Sequence, residues 1–219
     1  MVGGVDDSTA VYPTFGTNPE LEELMQQAVA DGRIPGPAGH VILINGYNPG
    51  TAHVNMTNAI VAGLDPTDPF AISEAELTAR AQIDAIVEFL RGNVPGYSNC
   101  FALGIGGRIG IRESRRFIGK HILTEYEIAD GITCEDSVAD NVRCGLGGHA
   151  ASGNGPSKSP LIAKPYSIPY DCCVPEIGGN IRFNGRCISG THAAMSSYRL
   201  MPVCFCIGER LGRKMASLI

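Results

Sequence analysis

Tryptophan is absent from the 219 residues, and seven Phe and seven Tyr stand against 28 Gly and 14 Pro. That balance gives many turns and suits a loop-rich binding protein better than a helical bundle. An excess of basic charge is also missing. The 17 Lys and Arg against 22 Asp and Glu leave a formal net charge of −5, which argues against nucleic acid or an anionic membrane surface as a partner. No stretch reaches the run of about 18 apolar residues that a membrane-spanning helix needs. The start, Met1-Val2-Gly3-Gly4-Val5-Asp6-Asp7, has no basic region followed by an apolar one. A cytoplasmic protein with no membrane partner is the resulting expectation. The eight cysteines form no C-x-x-C pair and no iron–sulfur spacing, so free thiols are expected and no metal site is. A dinucleotide-binding turn is lacking too. Gly104-x-Gly106 would require a third glycine where Ile109 stands, and the run leads into Arg112-Glu113-Ser114-Arg115-Arg116 instead of an apolar helix.

The length allows one domain or two small ones. Asn18-Pro19-Glu20 reads as a cap, a first-turn proline and an acid opening a helix that buries Leu21, Leu24, Met25 and Ala28 and ends at Gly32. Val41 to Ile44 and Ala52 to Thr57 read as strands around a turn-rich loop. Ser73 with Glu76 reads as a capping box for a helix to about Arg91, with Ile83, Ile86, Val87 and Leu90 inward. Cys100 to Ile105 is a further predicted strand. Thr124 and Glu127 form a second capping box for a short helix stopped by Gly131. Between Gly145 and Ser159, around His149, the Gly-, Ser- and Pro-rich composition predicts a mobile loop between two domains.

The C-terminal stretch is the most patterned. Ile181 to Phe183 is β-prone, Gly185 permits a sharp turn, and a helix is predicted from near Pro202, with Val203, Cys204, Ile207, Leu211, Met215 and Leu218 at three- and four-residue steps. Gly208 and Gly212 leave a bare stripe on it where a ligand or neighbouring backbone can come close. Free N–H groups at such a helix start attract a phosphate or an electron-rich ring oxygen. Three arginines within Arg112–Arg116 can neutralise a phosphate or a carboxylate; equally, they can form a surface network with Glu113.

Several of these stretches together resemble one family. Ile168-Pro169-Tyr170, Gly185-Arg186-Cys187-Ile188-Ser189, Thr191-His192 and Arg199-Leu200-Met201-Pro202 follow in the order and spacing of the C-terminal segment of FAD-dependent oxidoreductases. Val54-Asn55-Met56-Thr57, Ile109 to Arg116 and Leu123 to Ile128 match further elements of the same family. The chain departs from it at Ile181-Arg182-Phe183-Asn184 and at Glu209-Arg210-Leu211, where the family has small or apolar residues.

The resemblance implies an α/β fold: an α+β substrate-type domain over 1–160, then the C-terminal strand–helix segment of a Rossmann-like FAD-binding domain over 161–219. It implies FAD as cofactor and electron transfer from a small-molecule substrate. Gly185, Arg186, Ser189 and Gly208 would lie by the flavin, Arg199 and Pro202 would shape the helix entrance, and Arg112 would stand on the substrate side. His192 would be the candidate for proton transfer, although a lone His is also often structural. The Gly185 turn, Arg112 and the helix start near Pro202 are expected to converge on one positively biased pocket. Distant relatives, the heterodisulfide reductase A subunits, carry iron–sulfur clusters, for which no motif exists here. Because the FAD phosphate turn and ribose acid are missing, the chain reads as the later half of a flavoenzyme, whose nucleotide half a separate chain could supply. The alternative is a non-catalytic remnant or partner-binding subunit unable to hold FAD alone.

Overall fold

The computed structural model describes residues 1–14, 17–37, 40–59, 65–149 and 156–217. They form two compact units, Met1–Ile111 with His149–Pro156, and Arg112–Gly148 with Ser157–Ile219. This division falls elsewhere in the chain than the expected boundary near residue 160. Of the predicted mobile loop, residues 150–155 lie outside the described residues. The flanking pieces are the short strands β6 (Gly147–His149) and β7 (Pro156–Lys158), paired with each other.

The first unit carries an antiparallel sheet of four strands, β1 (Val2–Gly3), β2 (Leu43–Asn45), β3 (Thr51–Val54) and β4 (Phe101–Ala102), in the order β2-β3-β1-β4. Val2 lies opposite both Ala52 and Ala102. Helix α1 (Pro19–Ala30) starts as its sequence dictates, with the Asn18 side chain accepting from the Leu21 N–H, and it buries Leu21, Met25 and Ala28. These pack with Leu43, Ala52, Leu90, Tyr97 and Cys100.

The helix expected over 73–91 differs in two ways. It begins earlier, at α2 (Pro69–Ala81), because Asp68 caps it by accepting from the Phe70 N–H; Ser73 lies inside and donates to the Pro69 carbonyl at 2.7 Å. It then breaks at Gln82 before α3 (Ile83–Asn93). Gln82 is fully buried, and its amide accepts from the Asn58 N–H and donates to the Asn58 and Pro37 carbonyls. A side chain committed to three backbone groups elsewhere fixes the chain at that point. The Gly104 to Gly110 run is exposed, irregular for the most part, and no helix follows it.

In the second unit, α4 (Glu125–Asp130) has the expected reciprocal capping between Thr124 and Glu127 and ends at Gly131 in the left-handed region. Strands β5 (Ser137–Val142) and β8 (Tyr166–Pro169) pair antiparallel, and α6 (Met201–Ala216) packs on β5 through Val203, Ile207 and Leu211. Cys204 and Met215 are half-buried, and Leu218 lies outside the described residues. A helix that the sequence pattern missed, α5 (His192–Tyr198), precedes α6. The predicted strand at Ile181–Phe183 does not form. The Phe183 N–H donates to the Cys173 carbonyl, its ring stacks on Phe117 at 4.0 Å, and Arg182 donates to Tyr170 and to local carbonyls. Those groups are satisfied by tertiary contacts rather than by a neighbouring strand.

Asp140 on β5 accepts from Ser137 and Ser167 and pairs with Arg210 of α6. The two hydroxyls and the guanidinium hold its carboxyl down at about 2. A depressed folded-state pKa contributes stability above the ordinary carboxylate value near 4 and loses it as pH falls toward 2. With the side chain 44% exposed, solvent screening keeps the contribution below about 1 kcal/mol. Melting temperatures of wild type and Asp140→Asn should therefore differ above pH 4 and converge near pH 2; parallel curves would count against this role.

Candidate functional site

Residues from two separated stretches of the second unit meet around Glu113. Its Oε1 pairs with Arg116 and its Oε2 lies 2.7 Å from Nδ1 of His192. The Arg116 Nε donates to the Gly190 carbonyl at 2.8 Å. His192 is the first residue of α5, placed there because Thr191 caps the helix, accepting from the Ala194 N–H while donating to Glu125 at 2.6 Å. The imidazole is 46% exposed, so it is oriented by a carboxylate and still open to solvent.

The arginines gather beside this pair. Arg186 donates from Nη1 to the Arg112 carbonyl at 3.4 Å. Desolvation lowers the pKa of Arg199, and the like charges of Arg112 and Arg186 lower it further, while Glu113 acts in the opposite sense. Arg112 is lowered by desolvation as well, although its side chain keeps contact with solvent. Such shifts leave both guanidiniums charged.

Backbone geometry supplies the rest. Gly185 sits at φ 78 at the head of the 3₁₀ turn Gly185–Cys187, with open space where a Cβ would be, so its requirement is conformational. Helix α6 packs on this turn. At Gly208 a Cβ would come within 2.8 Å of the Asn184 amide, so that glycine permits the close approach. The α6 start has no side-chain cap, and Pro202 in its first turn is exposed and brings no N–H.

Of the residues singled out in the sequence, Arg112, Arg186, Arg199 and His192 are thus tied together by contacts or mutual charge, and Gly185, Gly208 and Pro202 belong to the turn and helix beside them. Ser189 is apart. It is 1% exposed, its N–H donates to Cys172 and its carbonyl accepts from Leu123, which puts it in the packed interior. Glu113 and Arg116 were visible only as a local charge pair; their hold on His192 and Gly190 depends on the fold. Among the described residues no group of His, Cys, Asp and Glu could hold a metal ion, and all eight cysteines are free.

Fixed cations, a turn against which α6 packs, and an imidazole held by a carboxylate make a site suited to an electron-rich ligand. The family model described as FAD dependent oxidoreductase matches residues 6–217. The chain belongs to this family. No curated protein and no solved structure matches it. For an FAD dependent oxidoreductase the donor set fits the ring end of the cofactor, whose reduced form needs a positive neighbour. For the phosphate end, the described residues hold no glycine turn running into a helix at the 104–110 run. No helix among the described residues is long and apolar enough to cross a membrane.

Proposed function

We propose that the chain forms the ring-facing part of a flavin site in an oxidoreductase that takes electrons from a small-molecule substrate. The supporting observation is the gathering of Arg112, Arg186 and Arg199 beside the Gly185 turn on which α6 packs. FAD, when bound, would supply the redox chemistry. Arg186 and the first turn of α6 hold positive charge for the electron-rich edge of the ring, where a fixed charge costs no reorganisation. Arg199 and Pro202 shape the entrance, Gly208 lets α6 close on the turn, and Arg112 stands toward the substrate. His192 moves a proton at Nε2, with Glu113 as the positioning residue that holds Nδ1. Ser189, expected beside the flavin, is buried and ties the segment after the turn to Cys172 and Leu123. In this reading residues 161–219 are the returning segment of an FAD-binding domain, Rossmann-like in kind, and residues 1–160 are the substrate-type portion. A separate chain could supply the nucleotide half.

Titrating FAD into the purified chain should quench flavin fluorescence saturably, and Arg186→Gln should weaken the affinity about tenfold, the effect of one charge-assisted contact. Unchanged affinity in the variant overturns the assignment. Absence of quenching at any concentration favours the other reading, a subunit that binds a partner and cannot hold FAD alone.

A further inference from the structure

Glu113 holds one nitrogen of the His192 imidazole, but the place of the residue itself depends on a second carboxylate. His192 opens α5, a helix of seven residues. A helix that short has little stability of its own, so its first turn lies where its cap puts it. The segment carrying the cap is tied to the chain leading into α4. The Leu123 N–H donates to the Ser189 carbonyl at 3.2 Å, the Thr191 N–H donates to the Leu123 carbonyl at 2.9 Å, and the Thr191 hydroxyl donates to Oε2 of Glu125 at 2.6 Å. The last of these bonds differs in kind from the other two. Oγ1 of Thr191 also accepts from the Ala194 N–H at 3.1 Å, which is the capping bond of α5. A hydroxyl has one hydrogen, and its lone pair can face the helix only if that hydrogen points elsewhere. It points to the half-buried carboxylate of Glu125. A short charge-assisted bond of this type fixes the hydroxyl rotor, and with it the cap.

We infer that Glu125 is a positioning residue for His192, acting through the Thr191 hydroxyl. Two carboxylates then govern one imidazole: Glu125 sets where α5 begins, and Glu113 sets which ring nitrogen carries the hydrogen. This deepens the proton-transfer role proposed above and rests on that reading for what the imidazole does. Glu125 is the first residue of α4, so the proton-transfer group takes its position from that helix. A displacement of α4 carries Thr191 with it and draws Nδ1 of His192 away from Oε2 of Glu113, a 2.7 Å contact that weakens steeply once its geometry is lost.

The test reads the tautomer of His192 by nitrogen NMR of the imidazoles, on the purified full chain without flavin at a pH of about 8, above the ordinary histidine range. The chain has five histidines, and comparison with His192→Gln assigns the signal. An imidazole free in water favours the hydrogen on Nε2, whereas one donating to Glu113 carries it on Nδ1, so the wild type should show the Nδ1–H form. Glu125→Ala should lower the ratio of Nδ1–H to Nε2–H about fivefold or more, the effect of losing one charge-assisted bond. Glu125→Gln keeps an acceptor oxygen at the same reach and should retain the wild-type ratio. Should Glu125→Ala fail to fold, Glu125→Asp keeps the charge at the start of α4, falls short of Thr191, and should lower the ratio in the same direction. A lowered melting temperature with an unchanged ratio makes Glu125 a structural residue only and overturns the inference, as does a wild type in the Nε2–H form. Flavin takes no part, so the FAD titration with Arg186→Gln succeeds or fails independently of this result.

Discussion

Tyr198→Ala should remove about 3–5 kcal/mol from the stability of the second unit, the cost typical of truncating a buried aromatic side chain. Tyr198 ends α5 with no exposed surface, donates from its hydroxyl to the Ile188 carbonyl at 3.1 Å, and lies so close to Gly190 that a Cβ there would stand 2.8 Å from its ring. Burial raises its pKa, so the hydroxyl stays protonated and donating at every ordinary pH. Tyr198→Phe keeps the ring and loses only the hydrogen bond, which costs about 1 kcal/mol. Urea unfolding of both variants separates packing from hydrogen bonding. A loss below about 1 kcal/mol for Tyr198→Ala would mean that the cavity collapses and that the ring is not a keystone of the core. Because Gly190 carries the carbonyl that receives Arg116, the alanine variant should also release Arg116 and with it the Glu113–His192 pair.

The second large effect concerns the cofactor. The chain, desalted after saturation with FAD, should retain far less than one flavin per chain by visible absorbance. The arginine cluster and the α6 start address the ring, whereas the adenosine diphosphate half needs a glycine turn at a helix N-terminus and an acid for the ribose. Each missing charge-assisted contact is worth about 1.5–3 kcal/mol, so losing two or three weakens binding by several orders of magnitude. Retention near one equivalent after desalting would show that a different group of residues grips the phosphates.

Local signals in the sequence carried furthest where the deciding contacts are themselves local. The Asn18 cap, the Thr124–Glu127 box, the Gly131 stop and the start of α6 are each settled within a few residues of chain, and each appears where the pattern puts it. The Ser73–Glu76 pattern failed because Asp68, a stronger start one turn earlier, had already capped the helix, leaving Glu76 to pair with Arg80. Ile181–Phe183 has strand propensity but no strand beside it, and propensity yields to such context. The site divides in the same way. Its arginine-rich element and Gly-Arg turn are legible as motifs, but the hold of Glu113 on His192 joins residues distant in sequence, and no periodicity or spacing announces it.

The buried amide of Gln82 has a mechanical meaning. A break between two helices usually reads as a hinge, but here the joint is riveted: to change the angle between α2 and α3, the chain must pull the Gln82 side chain away from Asn58 and Pro37 together. Doing so would leave the buried Gln82 carboxamide without its three partners at once. The corner between α2 and α3 is therefore a rigid bracket, and motions of the first unit must take place around it.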